Sequence, residues 1–175
     1  DEAIFIYQTN PVSRVLKREP FMNEGQVTKK IYKGKSQEVL RNKINIHSDI
    51  DALSQKVSHV LGRDINFRIN NKDKSDKDEY IDLKIESCSK ELDLHLQGSG
   101  IIQISEIFST INFLDSKLSI LLIDEPDSHI HVALQKKLMH ELKLIETCQS
   151  FIITHNDALV SESNDGELLY LNSDT

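Results

Sequence analysis

Apolar residues along the chain fall into three successive patterns. Ala3-Ile4-Phe5-Ile6-Tyr7 reads as a strand, and residues 11–35 after it are polar and basic with two prolines, which predicts an irregular or weakly stranded segment. Residues 36–47 suit a short helix. Ser48 then serves as N-cap for a second helix in which Ile50, Leu53, Val57 and Val60 recur at helical spacing and Gly62 closes the C-terminus. Three stretches alternate with period two: Ile65/Phe67/Ile69, Ile81/Leu83/Ile85 and Leu92/Leu94/Leu96. A charged turn at 71–78 separates the first two, so an antiparallel meander with one solvated face is expected.

The pattern changes after Gly100. A helix at 101–114 leads to a buried-strand run at 118–123, a helix at 130–145, a strand at 150–154, a short helix and a final strand at 167–171. Strands alternating with helices at this spacing predict a parallel sheet covered by helices. No internal repeat or low-complexity tract interrupts the pattern.

The length of 175 residues with 38% apolar content accommodates one core. One domain is therefore expected, in four parts: 1–35, 36–62, 63–97 and 98–175. The net charge of −7 argues against a generally basic protein that coats nucleic acid or membrane. That charge is unevenly spread, since residues 1–47 carry nine basic and five acidic side chains and the remainder 12 and 23. Two differently used surfaces are implied. Cys88 and Cys148 stand alone, without a partnering His/Cys spacing, so neither a disulfide framework nor a zinc site is indicated, and a reducing cytoplasmic setting fits. The longest apolar runs fall far short of the roughly 18 residues a membrane span needs, and no signal peptide is visible. The chain begins at Asp1 and runs at once into a strand, which reads as a sequence entered partway through a domain.

Three features carry candidate chemistry. Ile120-Leu121-Leu122-Ile123 ends abruptly in Asp124-Glu125-Pro126. In a parallel sheet, ligands bind beyond the carboxyl ends of the strands, which places these two acids at a site. One carboxylate can serve Mg²⁺ while its neighbour reaches the water that attacks a γ-phosphate. A second apolar strand, Phe151-Ile152-Ile153-Thr154, ends in His155-Asn156, and its imidazole stands beside the acids if the two strands are neighbours. Gln97-Gly98-Ser99-Gly100 opens a helix, where glycines let a phosphate approach free backbone amides; such a sequence also suits a plain flexible connection. His129 and His131 form a His-x-His pair with no third metal ligand at hand.

In this order the Gly-Ser-Gly helix start, the strand ending in Asp-Glu-Pro and the strand ending in Thr-His-Asn resemble the signature motif, Walker B and switch histidine of the ATP-binding cassette (ABC) superfamily, over residues 96–156. The details are most similar to the ABC-type AAA ATPases, a group near SMC, RecF and the overcoming-lysogenization-defect (OLD) nucleases. Asp127-Ser128-His129-Ile130-His131 looks like the His-containing loop that follows the acidic pair there, and Ser36-Gln37-Glu38-Val39-Leu40-Arg41-Asn42 like a stretch before the helical lobe. The resemblance implies a P-loop NTPase fold of ABC type, with ATP and Mg²⁺ as ligands and a homodimer that sandwiches ATP. It makes Asp124 the magnesium-side carboxylate, Glu125 the catalytic base and His155 the γ-phosphate sensor. Ser99 and Gly100 become the signature pair that contacts ATP of the opposite subunit, Asp127 to His131 the D-loop, and Gln8 the Q-loop glutamine. The signature departs from Leu-Ser-Gly-Gly-Gln, with Ile101 where a second glycine often lies.

No Gly-x-x-x-x-Gly-Lys-Ser/Thr sequence occurs, so the loop that cradles α- and β-phosphates is absent. Lys33-Gly34-Lys35-Ser36 matches only its tail, because the first glycine would fall at Lys29 and no buried strand leads in. The expectation is an incomplete ATPase head whose Walker A loop lies upstream of Asp1, the fragment alone being inactive. In the complete protein, hydrolysis would gate a nuclease or DNA transaction in anti-phage defence or DNA repair. Two other readings stand beside it: an ATP-binding subunit of a transporter, and a non-catalytic dimerisation module.

Overall fold

The computed structural model describes residues 4–9, 14–47, 49–114, 118–125, 130–161, 163–164 and 167–169, with side chains except at 4–9, 47, 118, 119, 148 and 158. Along the chain the elements are β1 (Ile4–Thr9), α1 (Glu24–Tyr32), a 3-10 turn (Ser36–Val39), α2 (Leu40–His47), α3 (Ile50–Leu61), β2 (Asn66–Ile69), β3 (Leu83–Ser87) and β4 (Lys90–Asp93). A second 3-10 turn (Leu94–Leu96) leads to α4 (Ser99–Leu114), β5 (Leu118–Asp124), α5 (Val132–Lys143), β6 (Cys148–Ile153) and α6 (Asp157–Val160).

The strands form two three-stranded sheets. One is parallel, in the order β1-β5-β6, and the other antiparallel, in the order β2-β3-β4. β5 is the middle strand of the parallel sheet, which explains its unbroken apolar run: a central strand has neighbours on both edges and little contact with water. Leu121 and Ile123 on one of its faces are 2% and 1% exposed and join the same buried cluster as Leu138 and Leu142 of α5. Each such side chain contributes about 1.5–3 kcal/mol by leaving water. The expected β-meander is present and packs on α3 through β2. The expected architecture holds: a parallel sheet, helices and an antiparallel sheet.

Several local expectations change. Residues 11–35 contain α1, whose capping box joins Asn23 and Gln26 and whose core contacts are only Val27 and Ile31. Two apolar positions on a lysine-rich helix give too little periodicity to stand out. The N-cap of α3 is Asp49, whose side chain accepts from the Ala52 amide at 3.0 Å; Ser48 lies outside the described residues. Gly62 does end α3, in the left-handed conformation at φ +66. The segment at 36–47 divides into a 3-10 turn and α2.

The third strand of the meander begins earlier than its leucines suggest. Cys88 and Ser89 both have positive φ, 50° and 60°, so a two-residue turn pairs Ser87 with Lys90 and the strand ends at Asp93. Leu94 and Leu96 then fall in the 3-10 turn. Residues 167–169 are not stranded, and 170–171 lie outside the described residues. β6 also differs from a buried strand, since Phe151 and Ile153 are 44% and 53% exposed. Among the described residues β6 is an edge strand, paired only with β5.

Candidate active site

β5 delivers its acids to the carboxyl edge of the parallel sheet. Asp124 is its last residue, half-buried and in register with Ile153 of β6. Glu125 follows at φ 44, a left-handed backbone that costs a side-chain-bearing residue about 1–2 kcal/mol. Its amide donates to the Ile153 carbonyl at 2.9 Å, which holds this conformation against the neighbouring strand. The bend turns Glu125 out of the strand, leaving its carboxylate exposed beside Asp124.

β6 ends one residue before a compact turn. Thr154 Oγ1 accepts from the Asn156 amide at 3.0 Å, and His155 between them projects into solvent with 88% of its side chain exposed. Its Nε2 lies 4.0 Å from Glu125 Oε1. That spacing exceeds a direct hydrogen bond but lets a single oxygen sit about 2.8 Å from both groups. Asp124, Glu125 and His155 thus meet at one sheet edge because β5 and β6 are parallel neighbours.

A second layer steadies this edge. Asn156 Nδ2 donates to Gln135 Oε1 at 2.9 Å, and Gln135 Nε2 donates to the Ile130 carbonyl at 2.7 Å. Gln135, on α5 and 4% exposed, therefore ties the turn after β6 to the chain entering α5. Sequence reading passed over it. The signal was a glutamine in line with Leu138 and Leu142, a polar residue on the buried stripe of an amphipathic helix.

The other candidates are distributed around this edge. Gln8 lies in β1, opposite Leu122 of β5, two residues short of Asp124. His131 is the N-cap of α5, its Nδ1 accepting from the Ala133 amide at 3.4 Å. Asp127 and His129 lie outside the described residues. Ser99 and Gly100 form the first turn of α4, following Gly98, whose carbonyl accepts from the Ile101 and Ile102 amides. They belong to a helix and not to a loose connection, and that helix packs on α2 and α3. Among the described residues, and apart from its chain neighbours, no atom lies within 4 Å of where a Cβ on Gly98 would stand. Among the described residues, no group of three or more His, Cys, Asp or Glu side chains is arranged to hold a metal ion. No helix among them is long and apolar enough to cross a membrane.

The fold is shared with solved ATPase heads. A Smc head bound to the C-terminal winged-helix domain of ScpA matches with TM-score 0.55 and 12% identity over 83% of this chain and 45% of its own. A structure from work on ATP-driven dimerization and DNA-stimulated activation of SMC ATPases matches with TM-score 0.51 and 14% identity, over 74% of this chain and 79% of its own. The Smc head with an extended coiled coil from Pyrococcus furiosus, bound to the C-terminal domain of ScpA, gives TM-score 0.51 and 15% identity, over 79% and 35%. The chain thus spans about a third of that last relative. No curated protein matches the sequence. The family model described as "AAA domain, putative AbiEii toxin, Type IV TA system" matches residues 8–161, a span that takes in Gln8, the α4 start, the acidic pair and His155. The chain belongs to that family of AAA domains, with the head fold of an ABC-type ATPase.

Proposed function

We propose that this chain is part of an ATP-hydrolysing head that works as a dimer. The observation that carries the reading is the 4.0 Å approach of His155 Nε2 to Glu125 Oε1 across two parallel strands, with Asp124 at the adjoining strand end. Glu125 accepts the proton of the attacking water. His155 donates an N–H to an oxygen of the γ-phosphate. Magnesium fits this donor set: it takes one or two protein carboxylates and completes its shell with water and phosphate oxygens, so the single half-exposed Asp124 is sufficient. The ion would neutralise charge that develops on the phosphates.

The same reading gives Ser99 and Gly100 the role of contacting ATP held by the opposite subunit, through their own amides at the start of α4 and its positive dipole end. Gln8 takes the part of the Q-loop glutamine, and the segment Asp127 to His131, which ends at the N-cap of α5, that of the D-loop. A phosphate-cradling loop, of which residues 1–175 contain no example, is supplied by further polypeptide that docks beside β6. The apolar side chains of Phe151 and Ile153, 44% and 53% exposed on β6, support this placement.

The head is coupled to a nuclease or another DNA transaction in defence or repair. Support comes from the toxin description of the family and from SMC relatives characterised by DNA-stimulated activation. Arg14, Lys17, Arg18, Lys29, Lys33 and Lys35 are all exposed, which provides a basic surface on an otherwise acidic chain. DNA binding that weakens with salt separates this coupling from a transporter role.

The decisive experiment replaces Glu125 with Gln in a complete protein that carries the phosphate loop. ATP binding and dimerisation persist while turnover falls by about 10²–10⁴-fold. Undiminished phosphate release removes Glu125 as the base and the reading with it.

A further inference from the structure

α4 is held largely by the helical layer, through α2, α3 and the 3-10 turn Ser36–Val39. At its middle the packing is ionic. Lys43 of α2 and Glu106 of α4 have side chains 0% and 1% exposed, with Lys43 Nζ 2.6 Å from Glu106 Oε1. The ammonium also donates to Ser36 Oγ at 2.8 Å and Thr110 Oγ1 at 2.7 Å, so its three donors are all used. The Thr110 hydroxyl donates to the Glu106 carbonyl at 2.7 Å, and the Ser36 hydroxyl to Glu106 Oε1 at 2.5 Å. Burial pushes the Lys43 ammonium below its usual range, and the Glu106 carboxylate opposes that shift.

Such a pair is a poor way to gain stability, because well-packed apolar residues of the same volume do as well or better. What it does give is register. Its acceptors sit on two elements at fixed positions, so sliding or rotating α4 by one residue against α2 breaks the bonds together and strands charge in the core. Glu106 lies seven residues after Ser99, about two helical turns, so fixing Glu106 fixes the direction in which the start of α4 points.

We propose that Lys43 and Glu106 are positioning residues for the start of α4: they set its axial position and rotation so that Ser99 and Gly100 are presented to ATP held by a second subunit. This rests on the signature reading of Ser99 and Gly100. The test compares two variants of the complete protein, Lys43→Met with Glu106→Leu together, and Ser99→Arg. For the double variant the thermal midpoint stays at or above that of the parent and ATP binds the isolated head as before, whereas ATP-driven dimerisation weakens about tenfold. Ser99→Arg gives a comparable or larger dimerisation defect. A double variant that dimerises normally while Ser99→Arg fails overturns the positioning role alone. A double variant that does not fold assigns the pair to stability and overturns it equally. If both variants dimerise and turn over normally, the signature reading falls first and the inference with it.

Discussion

Glu125 and Ile153 are joined across two strands by a backbone hydrogen bond of 2.9 Å, and the residue making it has a left-handed φ of 44°. A glutamate is a costly choice there, since glycine takes up that conformation without steric penalty. The cost falls where the side chain leaves the sheet toward His155, so the carboxylate and not the backbone explains the residue.

Glu125→Gly should therefore behave unlike other substitutions at this position. Relief of the backbone makes it about 1 kcal/mol more stable than Glu125→Ala, read by urea unfolding, while both lose turnover. Equal stabilities would mean that the bend carries no strain.

His155 is solvent-exposed and contributes little to the core. His155→Ala leaves the melting temperature unchanged within about a degree, as expected of an exposed site, and lowers ATP turnover by about 10²-fold. His155→Gln, which keeps an N–H donor, recovers part of that loss if donation to phosphate is its task.

Gln135 and Asn156 support the site through the turn that carries His155. Asn156→Ala leaves ATP affinity near normal and lowers kcat by about tenfold, the scale of loss when a supporting contact lets a catalytic group drift. Gln135→Leu produces the same kinetic change, and the double variant is no worse than either single one because the bond is shared.

Glu19 gives a pH dependence of known sign. Its carboxyl is 1% exposed and accepts from the Arg41 amide at 2.9 Å and from the Asn42 amide at 2.7 Å, capping α2 from a distant segment. Burial pushes its pKa from 4.5 up to about 7, against those hydrogen bonds. Between these values the folded chain holds a proton that the unfolded chain has released. The contribution to stability is complete below about pH 4.5 and is lost as pH rises through about 7, by about 3 kcal/mol at most. Denaturant unfolding at about pH 5 and about pH 8 reads this loss. Glu19→Gln flattens the difference, and an equal slope in both proteins contradicts the assignment.

The legible parts of the fold were those in which local pattern and tertiary role agree. β5 announced itself because a central strand is apolar on both faces, and its carboxyl end marked the acids; the His155 turn was visible because it too follows an apolar run, although β6 is an edge strand among the described residues. α3 was legible from its stripe and from Gly62. Other features depended on partners distant in sequence. The Glu19 cap spans 22 residues to Arg41, and the Lys43 and Glu106 pair spans 63, and neither leaves a periodic trace. The hairpin at Cys88 and Ser89 was hidden because neither is the glycine or asparagine that such a turn favours. The Asp124, Glu125 and His155 grouping depends on the two apolar strands being neighbours, a condition that the β5 and β6 pairing meets.

The ladder between β5 and β6 works as a ruler. Because the peptide of Glu125 is fastened to the strand that carries His155, the backbone positions from which the two groups reach out are set by the sheet. On the proposed reading, on-off control of the chemistry comes from outside that ruler, by bringing the far helix start to it or taking it away.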